Sequence, residues 1–273
     1  MLQAMSRLPR TEGSVRLRFA RVAERTVLRD LREAGAMRTR FPRTRGGEPP
    51  EAVLLNTAGG LTGGDRVDVK VVVSAGAEVT VTSAAAEKIY RAREDETEVR
   101  IGLDLGSGAH LAWLPQATIA FDGARFNRRT EASLADDASL LAVEVLIFGR
   151  TAMGEDVRRG AWHDAWRVRR AGRLVFADAF RAIGPIADIL DRGATLDGAR
   201  ALGLLLYVAP DASARIEEAR GLLSDAKASA GASAWNGLLV VRAAARDGRT
   251  LQSGLEPLIA RLSGRPLPRV WQC

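Results

Sequence analysis

At 273 residues, 47% hydrophobic and 27% charged, the chain can bury a sizeable core without disulfides, and its one cysteine, Cys273, excludes an internal bridge. No run reaches the roughly 18 apolar residues of a membrane span, and the basic N-terminus lacks the apolar stretch and cleavage site of an export signal, so a cytoplasmic protein without a membrane partner is expected. The formal net charge of +7 suits acidic protein partners better than nucleic acid, because the arginines are spread along the chain and aromatics, at 5%, leave few rings to stack on bases.

The first unusual segment is NTAGGLTGGD (56–65), directly after the apolar run AVLL. A phosphate loop of the GxxxxGK[ST] type needs a lysine and a following helix; here the glycines run into Asp65 and a strand pattern. The GxGxxG spacing of dinucleotide sites is absent too. The paired glycines serve conformation, allowing positive φ or close approach of another segment.

From Val67 the sequence alternates, with Val67, Val69, Val71 and Val73 on one face, then turns at SAGAE (74–78) and alternates again in VTVT (79–82). This predicts a hairpin. The same strand, turn and strand recur in EVRIGLDL–GSGAH–LAWL (98–114) and in TEASL–ADDAS–LLAVEVLIF (130–148). Aligning Ala77, Ala109 and Ala138 gives a period of about thirty residues, which suggests stacked β layers. Between these units lie AAAEKIYRA (84–92), which groups Glu87, Lys88, Tyr90 and Arg91, and WLPQATIAFDGARF (113–126), a chain reversal with Pro115, Gln116 and Asp122.

Glu144 interrupts a run otherwise apolar on both faces, so it must meet an arginine or face water. Arg150, Arg125 and Arg91 are the candidate partners. FGRTAMGED (148–156) follows, with Gly149 and Gly154 permitting turns, and AWRVRRAGRLVFADAF (165–180) reads as a strand pair turned by RAG. Beyond about residue 185 the pattern predicts a strand within 194–210, a helix after Asp211 as its cap, a strand in 236–245 and a helix over 249–262. Pro266 and Pro268 stop the tail SGRPLPRVWQC from being helical throughout. The fold class is therefore mainly β: one domain, with a layered, β-helix-like body over about 1–185 and a small α+β portion over 186–273.

The order NTAGGLTGGD, SAAAEKIYRA, WLPQATIAFDGARF, FGRTAMGE and LPRVW resembles the UreD (UreH) family of urease accessory proteins, from VLRDLREAGAMRTRFPR (27–43) to the end. The resemblance implies a non-enzymatic, β-rich assembly factor in a heteromeric complex that binds UreF and, through it, the GTPase UreG. It also implies docking on apo-urease for nickel delivery. Where the resemblance gives many relatives threonine and glutamine before EKIYR, the chain carries Ser83 and Ala84 to Ala86, so no role of that glutamine carries over.

With only His110 and His163, and no HxxxH or CxxC spacing, no tightly bound metal is expected. The carboxylates in or beside the family motifs, Asp65, Glu87, Asp122, Glu144 and Glu155, are the candidates to line a polar passage that hands on a nickel ion in transit. Arg150 and Glu155 read as structural or partner-contacting. Leu255, Leu258, Ile259, Arg269 and Trp271 read as a C-terminal partner surface, since tryptophan and arginine anchor interfaces. The rival reading is a β-layered carbohydrate-active enzyme drawing two carboxylates from Asp104, Asp122, Glu131 and Glu144.

Overall fold

A computed structural model of the chain describes residues 10–44, 48–150 and 153–272; Thr151, Ala152 and Cys273 lie outside the described residues. Valine at every second position forms β5 (Arg66–Val73), with Val67, Val69, Val71 and Val73 buried. Its successor, β6 (Glu78–Ser83), does not pair with it, so the expected hairpin is corrected. β5 is bonded in parallel to β1 (Glu12–Val22) and β8 (Thr97–Leu105). β6 is bonded in parallel to β4 (Glu51–Asn56) and β9 (His110–Leu114). Residues 74–77 carry the chain across the core from one sheet to the other. Alternation reports one buried face; it does not say whether the next strand lies alongside or opposite.

The later units make the same crossing, β8 to β9 and β11 (Arg125–Leu134) to β12 (Ser139–Phe148), so the sequence period is one coil of a two-sheet solenoid. Ala77, Ala109 and Ala138 occupy the same place in three successive arches and are fully buried. The Ala77 N–H donates to Ser74 O (3.0 Å), that of Ala109 to Gly106 O (3.1 Å) and that of Ala138 to Ala135 O (3.2 Å), closing each arch. His110 N–H to Ala77 O and Ser139 N–H to Ala109 O, both 2.9 Å, stack one arch on the next. A side chain larger than a methyl would have to displace the neighbouring coil.

The first sheet runs β14-β13-β11-β8-β5-β1-β2, with β2 (Arg25–Gly35) at one edge and the hairpin of β13 (Gly160–Arg170) and β14 (Arg173–Gly184) at the other. The second runs β16-β17-β15-β12-β9-β6-β4-β3, from β16 (Ser229–Trp235), β17 (Leu238–Ala245) and β15 (Ala201–Val208) to β3 (Met37–Arg40). The short β7 (Glu87–Ile89) and β10 (Thr118–Ala120) attach beside β12. β16 escapes sequence prediction because the alternation of SAGASAW, an edge strand, is carried by alanines alone, which are weak strand formers.

One core fills the space between the sheets and takes in Ile186 and Leu190 of the short α1 (Ile186–Leu190); a second lies outside the second sheet, under α2 (Ile216–Ser224) and α3 (Gly248–Ser263). β12 is covered on both faces, hence a run that is apolar on both faces apart from Glu144. The Asp247 carboxylate caps α3 by accepting from Thr250 N–H at 2.8 Å. Asp211, predicted as a cap, makes no capping bond; the Tyr207 hydroxyl and Arg215 Nε, both at 2.9 Å, take its carboxylate instead. Leu255, Leu258, Ile259 and Trp271, expected at a partner surface, are buried in the second core, and Trp271 Nε1 donates to Leu114 O at 3.0 Å. Periodicity identifies the apolar stripe of α3, and the outer face of the second sheet covers it before any partner can. Arg269 stays exposed. Among the described residues no helix is long and apolar enough to cross a membrane.

Leu258→Ala opens a cavity under α3 and is expected to destabilise the chain by about 2–5 kcal/mol. Urea denaturation checks this as a lowered midpoint with an unchanged slope.

Candidate functional site

The inward face of the first sheet is largely apolar, and buried charge enters it on β11 and β13, next to the β14 edge. On β11 the inward set Phe126, Arg128, Thr130, Ala132 and Leu134 includes a guanidinium; in register on β13, Asp164 stands beside it. Glu144 comes from β12 in the opposite sheet. All three are buried, at 6%, 2% and 9% exposure respectively.

Arg128 Nε and Nη2 donate to the two Asp164 oxygens at 3.0 and 2.5 Å. Nη2 also meets Glu144 Oε2 at 2.8 Å, and Nη1 donates to Thr118 Oγ1 at 3.1 Å. Trp166 Nε1 donates to the same Glu144 oxygen at 2.8 Å. The structure thus supplies an arginine for Glu144, but not Arg150, Arg125 or Arg91.

One cation between two buried carboxyls cannot neutralise both. Burial pushes the Glu144 carboxyl from its ordinary 4.5 up to about 8; Arg128 opposes this, the neighbouring Asp164 reinforces it, and Trp166 offsets only part. Asp164 holds the guanidinium while Glu144 keeps a proton near neutrality. Burial alone would weaken the charge on Arg128, but Asp164 and Glu144 outweigh it and hold the guanidinium above its usual range.

Beside this cluster a cavity of about 70 Å³ is lined by Glu144, Asp164, Trp166, Asp178, Phe180 and Arg242. It is polar and roomy enough for water. Asp178 and Arg242 form an ion pair of 2.9 Å, with the Arg242 side chain 60% exposed, so this pair marks the way to solvent. Thr130, inward on the same row as Trp166 and Asp178, has a buried Oγ1 without a protein partner. Toward the other side, Thr118 is in register with Glu87. Burial pushes the Glu87 carboxyl up to about 7, against a 3.0 Å hydrogen bond from Asn56 Nδ2 that lowers it. A polar seam therefore runs between the sheets from Asn56 and Glu87, past Thr118, Arg128, Glu144 and Asp164, to Asp178 and Arg242.

Of the five candidate carboxylates, only Glu87 and Glu144 lie on this seam. Asp65 is buried and spends both oxygens on backbone, accepting from Thr11 N–H at 2.7 Å and Thr62 N–H at 2.8 Å. It clamps the glycine segment, where Gly63 lies so close to Asp95 O that an added Cβ would sit 2.3 Å away. Asp122 accepts from the Arg158 and Arg159 amides at 2.8 and 3.0 Å and pairs with Arg91 at 3.1 Å. Burial raises its carboxyl, but the two amides and Arg91 outweigh this and hold it below the usual range. Glu155 pairs with Arg150 at 2.6 Å, and the Arg150 guanidinium lies 4.5 Å from the Phe121 ring centre. Asp65, Asp122, Arg150 and Glu155 tie loops together at the ends of the coils.

Arg128, Asp164, Trp166 and Thr118 are absent from the sequence-based candidates. Two carried a signal: RFNRRTEASL puts Arg128, and AWHDAWRV puts Asp164, on the otherwise apolar face of its strand. Among the described residues no three His, Cys, Asp or Glu side chains converge as a metal site. Nor do the four carboxylates of the carbohydrate reading converge. Glu144 is inside, Asp122 is in a loop, and Asp104 is paired with Lys70 at 2.5 Å on the outer face that Glu131 shares. Among the described residues no aromatic side chain lines the trough on that face to hold a sugar.

The family profile described as UreD urease accessory protein matches residues 11–272. The chain is similar to the urease accessory protein UreD of Methylobacterium sp. (strain 4-46), at 48% identity over 272 residues, covering 97% of this chain and 96% of that protein. It is 48% identical over 262 residues to UreD of Xanthobacter autotrophicus, covering 96% and 90% of the two chains. With UreD of Azorhizobium caulinodans the identity is 44% over 265 residues, covering 97% of each.

The raised carboxyl of Glu144 carries a sign. Below about its ordinary 4.5 the folded and unfolded chains both hold the proton; from there to about 8 the unfolded chain gives it up while the folded one retains it, so stability falls as pH rises through that window. Glu144→Gln is expected to flatten this decline, read from urea midpoints across the window. Arg128→Met leaves Asp164 buried and unpaired, and a loss of about 3–5 kcal/mol is expected by the same measurement.

Proposed function

This chain belongs to the UreD family of urease accessory proteins, its role lies in urease maturation, and we propose that it acts as a non-catalytic scaffold that binds UreF and, with UreG, docks on apo-urease for nickel delivery. The observation that carries this reading is the polar seam centred on Glu144. A divalent cation travelling between the sheets needs oxygen ligands in transit, and a stripe of carboxyls supplies them. A tight site would retain the cargo. Arg128, within 2.8 Å of Glu144, prevents that, because its fixed positive charge repels a metal that stays.

Glu144 exchanges its proton for the passing cation and takes one back when the cation leaves. Glu87 repeats the exchange on the other side of Thr118, since its carboxyl also titrates near neutrality. Asp178 and Arg242 stand where the cation would enter or leave, and opening their ion pair exposes the cavity behind it. Trp166 and Thr118 hold Glu144 and Arg128 in place. None of these groups is an activated nucleophile, and the role needs none.

Glu144→Gln preserves shape and hydrogen bonding but removes the exchangeable proton. The expected outcome is full recovery of the complex with UreF and UreG in a pull-down, with urease nickel content, measured by metal analysis, reduced severalfold. Loss of the complex would make Glu144 a structural residue only, and unchanged nickel content would remove the passage.

A further inference from the structure

α2 and α3 cover the outer face of the second sheet; nothing among the described residues covers that of the first. Its outward positions are in register across the strands. Arg32, Arg16 and Lys70 stand side by side on β2, β1 and β5. Like charges directly opposite on neighbouring strands destabilise a sheet, so this row needs a counter-charge. Several cations of the face have one: Lys70 pairs with Asp104 at 2.5 Å, Arg100 with Glu98 at 3.1 Å, Arg125 with Glu96 at 3.5 Å, Arg32 with Asp30 at 3.8 Å and Arg66 with Glu98 at 4.0 Å.

Arg16, Arg18, Arg129, Arg167, Arg169 and Arg181 also point outward and are exposed, and among the described residues none has a carboxylate within ion-pair distance. Arginines spread along the sequence thus gather on one face, because a strand in each coil contributes to the same rows. Where Ser14, Gly102 and Ser133 line the surface it sinks into a trough of about 740 Å³. Lys70 lies across its floor, where a Cβ on Gly102 would meet Lys70 Cδ at 2.9 Å.

We propose that this face docks an acidic protein surface, whose carboxylates lie across the trough and are gripped in pairs of hydrogen bonds by Arg16, Arg129 and Arg167. Two features select a protein over a phosphate polyanion. Asp68 and Glu131 also stand in the trough, and among the described residues neither has a cation in ion-pair range. A phosphate backbone offers them acceptors alone, whereas a polypeptide, even one rich in glutamate, also offers them backbone amide donors. The trough also has no aromatic lining on which bases could stack. The inference rests on the scaffold reading and adds the chemistry of one partner; it is independent of the seam between the sheets.

The test uses the full chain, with fluorescein-labelled poly-L-glutamate and a single-stranded oligodeoxythymidylate of equal charge as probes in anisotropy titrations. The variants are R16E/R129E and R167E on the face, with R220E on α2 as the control. Poly-L-glutamate is expected to bind in a salt-dependent way, about tenfold or more weakly to R16E/R129E, less affected by R167E and unaffected by R220E. Thermal melts should match that of the unaltered chain; if the double variant melts early, R167E carries the comparison. In cells, R16E/R129E should also lower recovery of the urease assembly. Equal weakening by R220E, tighter binding of the oligonucleotide, or undiminished assembly with R16E/R129E would each overturn the proposal. In the last case the scaffold reading survives if urease nickel loading still requires the chain, so the two failures are told apart.

Discussion

A guanidinium cannot shed its charge inside a protein, and Arg128 sits between two sheets where water is scarce. Everything around it follows from that requirement. Asp164, one strand away, meets it with both oxygens, and Thr118 takes a further donor. Glu144 reaches it from the opposite sheet, so the pair is also a bolt across the sandwich. A solenoid whose inward rows were wholly apolar could slide its sheets by one residue pair with little change in chemistry. With one charged row, that slip would strand a guanidinium among valines, at a cost of several kcal/mol.

The same cluster leaves one carboxyl too many. Its excess is relieved by a proton on Glu144, and that proton gives an otherwise dry interior a group that titrates near neutrality. Rigid β layers suit such a device, because the positions of Arg128, Asp164 and Glu144 are set by ladder hydrogen bonds and not by loops. Loops do a different job here. The glycine segment, the EKIYR segment, the turn at Asp122 and the segment around Glu155 meet through backbone bridges and ion pairs at the ends of the coils. They close the solenoid; the seam runs inside it.

The two sheets have opposite exteriors. One is roofed by helices and forms a second apolar core, so Leu255, Leu258 and Ile259 serve stability. The other is bare and carries rows of charge. A protein whose work is to hold others in place needs surface of the second kind. The division arises because strands such as β12 and β15 of the second sheet are apolar on both faces, whereas the outward rows of β1, β8 and β11 in the first are mostly polar or charged.

The sequence by itself determined the β layers, the thirty-residue coil, the two larger helices and the oddity of Glu144. Each of these depends on local periodicity or on a polar residue in an apolar run, and both can be read along one chain. The family motifs were equally legible, as runs of particular residues in order. Only the tertiary structure decided that β5 and β6 face each other across the core, since alternation is identical for strands that pair and strands that oppose. It alone chose Arg128 over Arg150, Arg125 and Arg91 as the partner of Glu144, sent Asp65 and Asp122 to clamp loops, and buried the C-terminal helix. Those outcomes depend on which coil stacks on which, and stacking is a contact between residues far apart in the chain.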